Sequence, residues 1–129
     1  MTVRLLLDTH AFLWFILGSP QLSPRAAAAI EMAELVLVSA ATGYEITQKH
    51  ARGRLPDVGG VARDVGGAAE EAGIAVLPIS MAHAEAAGRL PQHHRDPFDR
   101  LIVAQALVEG LPLVSTDAAL DAFGVERLW

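Results

Sequence analysis

The sequence predicts an α/β fold, a three-layer α/β/α sandwich with a parallel sheet of four or five strands between two layers of helices. Short apolar runs alternate with longer segments of helical character along the whole chain. Most of these runs lack polar positions, which is typical of strands buried on both faces of a parallel sheet. The chain has 129 residues, and it contains no repeat, linker or low-complexity segment. This length suits one domain, so we predict a single domain at 1–129.

Residues that start or stop helices mark the predicted elements. Ser23 and Pro24 suit the N-cap and the first position of a helix, and Gly53 with Pro56 and later Gly110 end helices. The predicted strands are Val3–Leu7, Leu35–Ser39, Gly73–Leu77, Leu111–Ser115 and a short Val125–Leu128. The predicted helices are Thr9–Leu17, Arg25–Glu34, Thr42–Arg52, Asp57–Ala72, Met81–Arg89, a well-marked helix from Asp96 to Glu109, and Ala118–Phe123.

Composition limits the location of the protein. The chain has no cysteine, which excludes disulfides and thiolate metal sites and fits a cytoplasmic protein. No apolar run approaches the roughly 20 residues of a membrane-spanning helix, so we expect no membrane association. The start, Met1-Thr2-Val3-Arg4, leaves no room for a signal peptide. A hydrophobic content of 52% is high, which favours a protein partner that covers apolar surface.

The charge of the chain leaves its partner undecided. A net charge of −5 argues against nucleic acid, because phosphate binding usually needs a basic surface. However, four of the 15 acids fall in a predicted metal site, and without them the charge is −5 + 4 = −1. Nine of the ten bases are arginine, whose planar guanidinium suits phosphate, although an arginine-rich chain can also reflect codon usage.

Four acids occupy comparable places in the predicted fold. Asp8 and Asp117 each follow an apolar strand, whereas Glu45 and Asp99 lie in the opening turns of helices. Strand ends and the N-termini of the following helices share one edge of a parallel sheet, so the four carboxylates should converge there. Such a cluster repels itself unless a divalent cation such as Mg²⁺ is bound. A bound cation can activate water and stabilise the leaving oxygen of a phosphodiester, which is the chemistry of a nuclease.

Each acid also has a purely structural interpretation. Asp8 and Asp117 are placed to cap the helices that follow them, and Asp99 lies in a first turn, where negative charge is favoured. Asp96 fits the N-cap of its helix best. Taken singly, the structural interpretation is favoured for Asp8, Asp99 and Asp117, but four acids in equivalent places favour a metal site.

The chain resembles the PIN-domain family, and in particular its VapC-like toxins. The resemblance spans nearly the whole chain, and its long third motif is highly specific. The motifs are Leu5-Leu6-Leu7-Asp8-Thr9-His10, Ser39-Ala40-Ala41-Thr42-Gly43-Tyr44-Glu45-Ile46, His94-Arg95-Asp96-Pro97-Phe98-Asp99-Arg100-Leu101-Ile102-Val103-Ala104-Gln105-Ala106 and Leu113-Val114-Ser115-Thr116-Asp117. Two departures, Tyr44 in place of the usual Trp and the pair Thr47-Gln48, leave the four acids untouched.

The resemblance implies a function and a site. The four family acids match Asp8, Glu45, Asp99 and Asp117, which would bind Mg²⁺ or Mn²⁺ and catalyse RNA hydrolysis. It implies a toxin of a toxin–antitoxin pair, a homodimer, and inhibition by a cognate antitoxin whose tail occupies the active site. The rival hypothesis is a PIN-fold module that binds protein or RNA without catalysis.

Other polar residues are weaker candidates. Arg95, Arg100 and Lys49 are candidates for contacts with RNA phosphates, although Arg100 is equally suited to pair with Asp96 at (i, i+4). The Thr116 hydroxyl is a candidate to position Asp117. His10 could face the same edge or simply pack, and His93-His94 is a weak signal for a zinc pair. The aromatic residues of the first helix suit a core or a dimer surface better than base stacking; they are Phe12, Trp14 and Phe15.

Three other enzyme or binding classes are disfavoured by specific residues. A haloacid-dehalogenase-type phosphotransferase needs a second Asp where His10 stands. A response-regulator receiver needs an acid after the third strand and a late lysine, but Pro78-Ile79-Ser80 follows that strand and the only lysine is Lys49. A dinucleotide-binding domain needs a Gly-x-Gly-x-x-Gly turn, which is absent.

Overall fold

A computed structural model describes residues 3–55 and 59–129. The strands are β1 (Arg4–Leu7), β2 (Leu35–Ser39), β3 (Ala75–Leu77), β4 (Leu113–Val114) and β5 (Arg127–Leu128). The α-helices are α1 (Thr9–Leu17), α2 (Pro24–Met32), α3 (Ala40–Ala51), α4 (Gly59–Arg63), α5 (Val65–Glu71), α6 (Met81–Arg89) and α7 (Pro97–Glu109), and a 3₁₀ helix covers Ala118–Phe123. The five strands form one sheet in the order β3-β2-β1-β4-β5, and all neighbouring pairs are parallel.

The two faces of the sheet are covered by separate apolar cores. Leu5 and Leu7 of β1 pack with Phe12 of α1 in one core, which also takes residues from α2, α3, α4 and α5. Leu6 points the other way and packs with Ile102 of α7 in the second core. This division follows from the alternation of side chains along a strand. The predicted α/β/α sandwich around a five-stranded parallel sheet is confirmed.

Side-chain caps set the helix boundaries closest to the sheet. Asp8 caps α1, Ser23 caps α2 with Pro24 at the first helical position, and Asp96 caps α7. Helix α3 begins two residues before the predicted Thr42, because the Ser39 hydroxyl accepts the N–H of Ala41 at 3.0 Å. The early start of α3 places Glu45 in its second turn, above the carboxyl end of β2.

The prediction of one continuous helix at Asp57–Ala72 is wrong for its described part. Two helices, α4 and α5, meet at Asp64, whose carboxylate accepts the N–H of Gly67 at 2.9 Å and starts α5 as its N-cap. A short acidic side chain that bonds its own backbone competes with a continuous helix. A Cβ at Gly67 would lie 2.2 Å from Asp64 Oδ2, so a larger residue there would displace the capping carboxylate. The predicted helix stop at Pro56 and the predicted start at Asp57 lie outside the described residues.

The apolar run after Gly73 is an exposed edge strand rather than a strand buried on both faces. Ala75 and Val76 of β3 are both exposed, and Val76 is 47% accessible. Strand β1, in the centre of the sheet, is buried from Leu5 to Leu7. Within the described part of the chain, no helix combines the length and the apolar character needed to cross a lipid bilayer.

Candidate active site

Asp8 stands where the central strand β1 ends. Leu7 is paired with Val114 of β4, and the N–H of Asp8 donates to the Val114 carbonyl at 3.1 Å. The Asp8 carboxylate accepts the N–H of Ala11 at 2.9 Å, so it caps α1 as the structural interpretation expected. Burial raises the pKa of this carboxyl. Hydrogen bonds from Ser115 and Ala11 oppose the rise, whereas the nearby charge of Asp99 adds to it.

Asp99 lies at the third position of α7 and faces the same edge. Its Oδ2 is 2.9 Å from Nε2 of His94, in the loop before the helix. Burial raises the pKa of Asp99, the hydrogen bond with His94 opposes the rise, and the charges of Asp96 and Glu45 add to it. Asp99 therefore lies within electrostatic range of both Asp8 and Glu45.

Asp117 follows β4 and completes a group that could hold a metal ion. Among residues 3–55 and 59–129, one group of three or more His, Cys, Asp or Glu side chains could hold a metal ion. It consists of His94, Asp99 and Asp117, and one donor atom of each lies within 4.8 Å of the others. The Asp117 carboxylate also accepts the N–H of Ala119 at 3.0 Å and so caps the 3₁₀ helix. Capping and a place at the acidic edge therefore coexist in Asp117, as they do in Asp8.

The side chain of Glu45 is buried and bonded to neighbouring side chains. It is 5% exposed, and its two carboxylate oxygens take different partners. The Thr9 hydroxyl donates to Oε1 at 2.6 Å, and the Lys49 ammonium lies 2.5 Å from Oε2. The hydroxyl oxygens of Thr9 and Thr42 are 3.0 Å apart. Because Thr9 donates its own proton to Glu45, Thr42 can act as the donor to Thr9. Glu45 lies near Asp99 but outside the group of three that could share an ion.

Arg100 organises the loop between α6 and α7. Its terminal nitrogens donate to four backbone carbonyls at 2.7 to 2.9 Å; they belong to Ala87, Leu90, Pro91 and His94. Among the described residues, no ion pair joins Arg100 to Asp96, so the structure does not show the (i, i+4) pair that the sequence left open as an alternative. These contacts use both terminal nitrogens and fix the loop that carries His94.

Ser115, rather than Thr116, has the role of positioning Asp117. Thr116 is exposed, and its hydroxyl makes no hydrogen bond within the described residues. The buried Ser115 hydroxyl instead accepts the N–H of Asp117 at 3.1 Å, and it lowers the pKa of the nearby Asp8 carboxyl. Ser115 therefore links the acids that follow β1 and β4. The signal in the sequence was a small polar residue that follows two apolar residues of a buried strand.

The remaining candidates lie around this edge. Arg95 is exposed, and Lys49 is partly exposed beside Glu45, so both can be reached by a ligand. His10 is exposed, with its ring 5.5 Å from that of Trp14, and its charge lowers the pKa of Asp8. Phe12 lies in the core, as expected. The aromatic rings of His93 and Phe123 stack at 5.1 Å, so His93 does not form a pair of ligands with His94.

An apolar cavity of about 530 Å³ lies between α3 and α7. Its lining includes Tyr44 and Phe98, whose rings lie 5.5 Å apart and which directly precede Glu45 and Asp99 in the chain. Tyr44 is 61% exposed. The acidic edge is therefore bordered by apolar surface open to solvent.

The residues at the edge fit a divalent cation. Carboxylate oxygens are the donors that Mg²⁺ and Mn²⁺ prefer, and an imidazole nitrogen is accepted by transition ions. Asp99 is close enough to Asp117 to share an ion, and its charge already disfavours ionisation of Asp8. A cation would relieve this repulsion.

The sequence matches a known domain over almost its full length. The PIN domain family model matches residues 5–126, and the chain therefore belongs to the PIN domain family. No curated protein matches the chain significantly.

Solved toxin–antitoxin structures share the fold. VapBC2 from Rickettsia felis, solved with a promoter DNA fragment, gives a TM-score of 0.71 at 13% identity and covers 98% of this chain and 100% of its own. A toxin–antitoxin complex from Klebsiella pneumoniae gives 0.63 at 17% identity, covering 97% and 96%. The Mycobacterium tuberculosis VapC20 structure, described as a sarcin–ricin loop cleaving toxin, gives 0.59 at 20% identity, covering 94% and 95%.

Proposed function

We propose that this protein is a metal-dependent endoribonuclease and the toxin of a toxin–antitoxin pair. One observation carries the proposal: side chains from separate segments, His94, Asp99 and Asp117, meet within 4.8 Å at the edge where Asp8 also lies. Asp8, Asp99 and Asp117 are proposed as the principal ligands of Mg²⁺ or Mn²⁺. Glu45 is proposed as a further ligand or as the group that orients the attacking water.

Different residues are proposed to have different roles in the reaction. A bound divalent ion would supply an activated water and would stabilise the leaving oxygen of the phosphodiester. Thr9 and Lys49 fix the Glu45 carboxylate, which therefore needs little reorganisation to orient a water molecule. Arg95 and Lys49 are proposed to contact RNA phosphates. Arg100 is proposed to act mainly by holding the loop, since its terminal nitrogens already have partners. The exposed Thr116 is proposed as a weaker candidate for an RNA contact.

The fold and the surface support the assignment to a toxin–antitoxin pair. The structural neighbours include toxin–antitoxin complexes, and one is described as a cleaving toxin. The apolar cavity beside Tyr44 offers surface that a protein partner would cover. We propose that a cognate antitoxin binds over the acidic edge, that the chain forms a homodimer, and that it acts in the cytoplasm. Light scattering of the purified chain tests the dimer.

Mapping of new RNA 5′ ends after expression of the chain tests the nuclease. Asp99→Asn should abolish cleavage and toxicity while the far-ultraviolet circular dichroism spectrum stays unchanged, because the substitution removes one charge and keeps the shape. Asp96→Asn is the matched control. It removes the same charge three residues earlier, and asparagine is as good an N-cap as aspartate. Cleavage by Asp99→Asn at the wild-type rate would refute the assignment of Asp99.

The second candidate is a PIN-fold module that binds protein or RNA without catalysis. The engagement of one Glu45 oxygen by Thr9 and of the other by Lys49 is the observation that favours it. The module predicts no cleavage and no effect of Mg²⁺ or Mn²⁺ on thermal unfolding. The nuclease predicts that either metal raises the unfolding temperature of the wild type and not of Asp99→Asn.

A further inference from the structure

We propose that His94 binds the divalent ion of this site through Nε2 and that this nitrogen makes the site prefer Mn²⁺ over Mg²⁺. The inference rests on the proposed function, since it concerns the same ion. Nε2 of His94 lies 2.9 Å from Asp99 Oδ2, and one donor atom each of His94, Asp99 and Asp117 lies within 4.8 Å of the others. The ring therefore points into the acidic edge.

The spacing is that of neighbouring ligands on one ion. Two ligands about 2.1 Å from an octahedral ion and at a right angle to each other are about 3.0 Å apart. Nε2 of His94 and Oδ2 of Asp99 already have that separation. To share an ion with Asp117, donor atoms that now lie within 4.8 Å of one another must lie within about 4.2 Å, which is the limit for opposite ligands.

Arg100 anchors the backbone of His94, and the 3₁₀ helix contacts its ring. The His94 carbonyl accepts Nη1 of Arg100 at 2.9 Å, and the ring meets the Phe123 ring edge-on at 5.7 Å. The side chain is only 18% exposed. The backbone anchor and the aromatic contact together limit the directions in which Nε2 can point.

The donor chemistry sets the predicted selectivity. Mg²⁺ strongly prefers oxygen ligands and water, whereas imidazole is a good ligand for transition ions. The proposed set adds one imidazole nitrogen to the carboxylates of Asp8, Asp99 and Asp117. Removing the nitrogen should therefore weaken Mn²⁺ binding more than Mg²⁺ binding.

Calorimetric titration of the intact protein with MnCl₂ and with MgCl₂ tests the selectivity. His94→Gln should weaken Mn²⁺ binding by about tenfold or more and should change Mg²⁺ binding by less than about threefold. His93→Gln, at the neighbouring position, is the matched control and should bind both ions as the wild type does. Pulsed electron paramagnetic resonance of bound Mn²⁺ should show ¹⁴N coupling in the wild type and in His93→Gln, and none in His94→Gln.

The outcomes separate this inference from the proposed function. If the wild type lacks ¹⁴N coupling, or His94→Gln keeps it, or both ions lose affinity equally, His94 is not a selective ligand and the inference is overturned. If Asp99→Asn abolishes Mn²⁺ binding while His94→Gln keeps the wild-type ratio of affinities, the inference alone fails. If Asp99→Asn binds Mn²⁺ as tightly as the wild type, the metal site itself fails, and the inference with it.

Discussion

Asp99→Asn should stabilise the protein without metal and destabilise it, relative to the wild type, when metal is present. In the metal-free protein, Asp99 and Asp117 have carboxylate oxygens within 4.8 Å of each other. Coulomb's law gives about 1 to 3 kcal/mol of repulsion at this distance for effective dielectric constants between those of water and a protein surface. Since 31% of the Asp99 side chain is exposed, we expect the lower end of this range. Asparagine keeps an acceptor oxygen for His94.

Bound metal should reverse the order of stability of the wild type and Asp99→Asn. An ion at ten times its dissociation constant stabilises the wild type by about 1.4 kcal/mol, and Asp99→Asn should lose most of this gain. For a domain of this size, each kcal/mol moves the unfolding temperature by about 3 to 5 °C. Asp99→Asn should therefore unfold a few degrees above the wild type in a chelator and at or below it in saturating Mn²⁺.

The pH dependence of the stability of the metal-free proteins shows whether ionisation of Asp99 stabilises or destabilises the fold. The pKa of Asp99 is raised in the folded state, so its ionisation costs stability as the pH rises through that raised pKa. Below the ordinary value of 3.8 the carboxyl is protonated in both states, and the two proteins should then be equally stable. Differential scanning calorimetry of the wild type and Asp99→Asn between pH 3 and 8 measures this. A variant less stable than the wild type at pH 7 in chelator would refute the predicted repulsion.

Three further substitutions test single features of the fold and the site. Ser115→Ala should raise the pKa of Asp8 further, because the hydroxyl that lowers it is lost; carboxyl-carbon NMR titration without metal measures this, and an unchanged pKa would contradict it. Arg100→Lys should lower the free energy of unfolding in urea by about 2 kcal/mol or more, since one ammonium cannot serve four carbonyls, whereas Arg95→Lys should change it by less than about 0.5 kcal/mol. Leu6→Ala, at a fully buried position of β1, should cost about 3 kcal/mol, and a cost below about 1 kcal/mol would contradict its place in the core.

The sheet was predictable because its signals are local. Each buried strand is a short apolar run, and the caps Ser23 and Asp96 are read from neighbouring residues. The expectation that the acids lie at one edge of the sheet then followed from the rule that strand ends share an edge. The break at Asp64 was missed because it depends on one aspartate that bonds the backbone in place of helix continuation.

The residues around the acids were less predictable because their partners are distant in sequence. Arg100 finds its carbonyls through the packing of α6 against α7, which no local pattern reveals. In the sequence, His94 was only part of the His93-His94 pair, which is a weak signal for zinc because adjacent histidines rarely share a metal. The structure gives the two rings different neighbours and turns only His94 toward Asp99.

Anomalous scattering from crystals grown with MnCl₂ tests most directly whether the acidic edge holds an ion. A single strong manganese peak, or a close pair, should lie between Asp8, Asp99 and Asp117. Crystals of Asp99→Asn grown in the same way should lack it. Wild-type crystals without a peak there, or with manganese bound elsewhere, would contradict the metal site and the nuclease built on it.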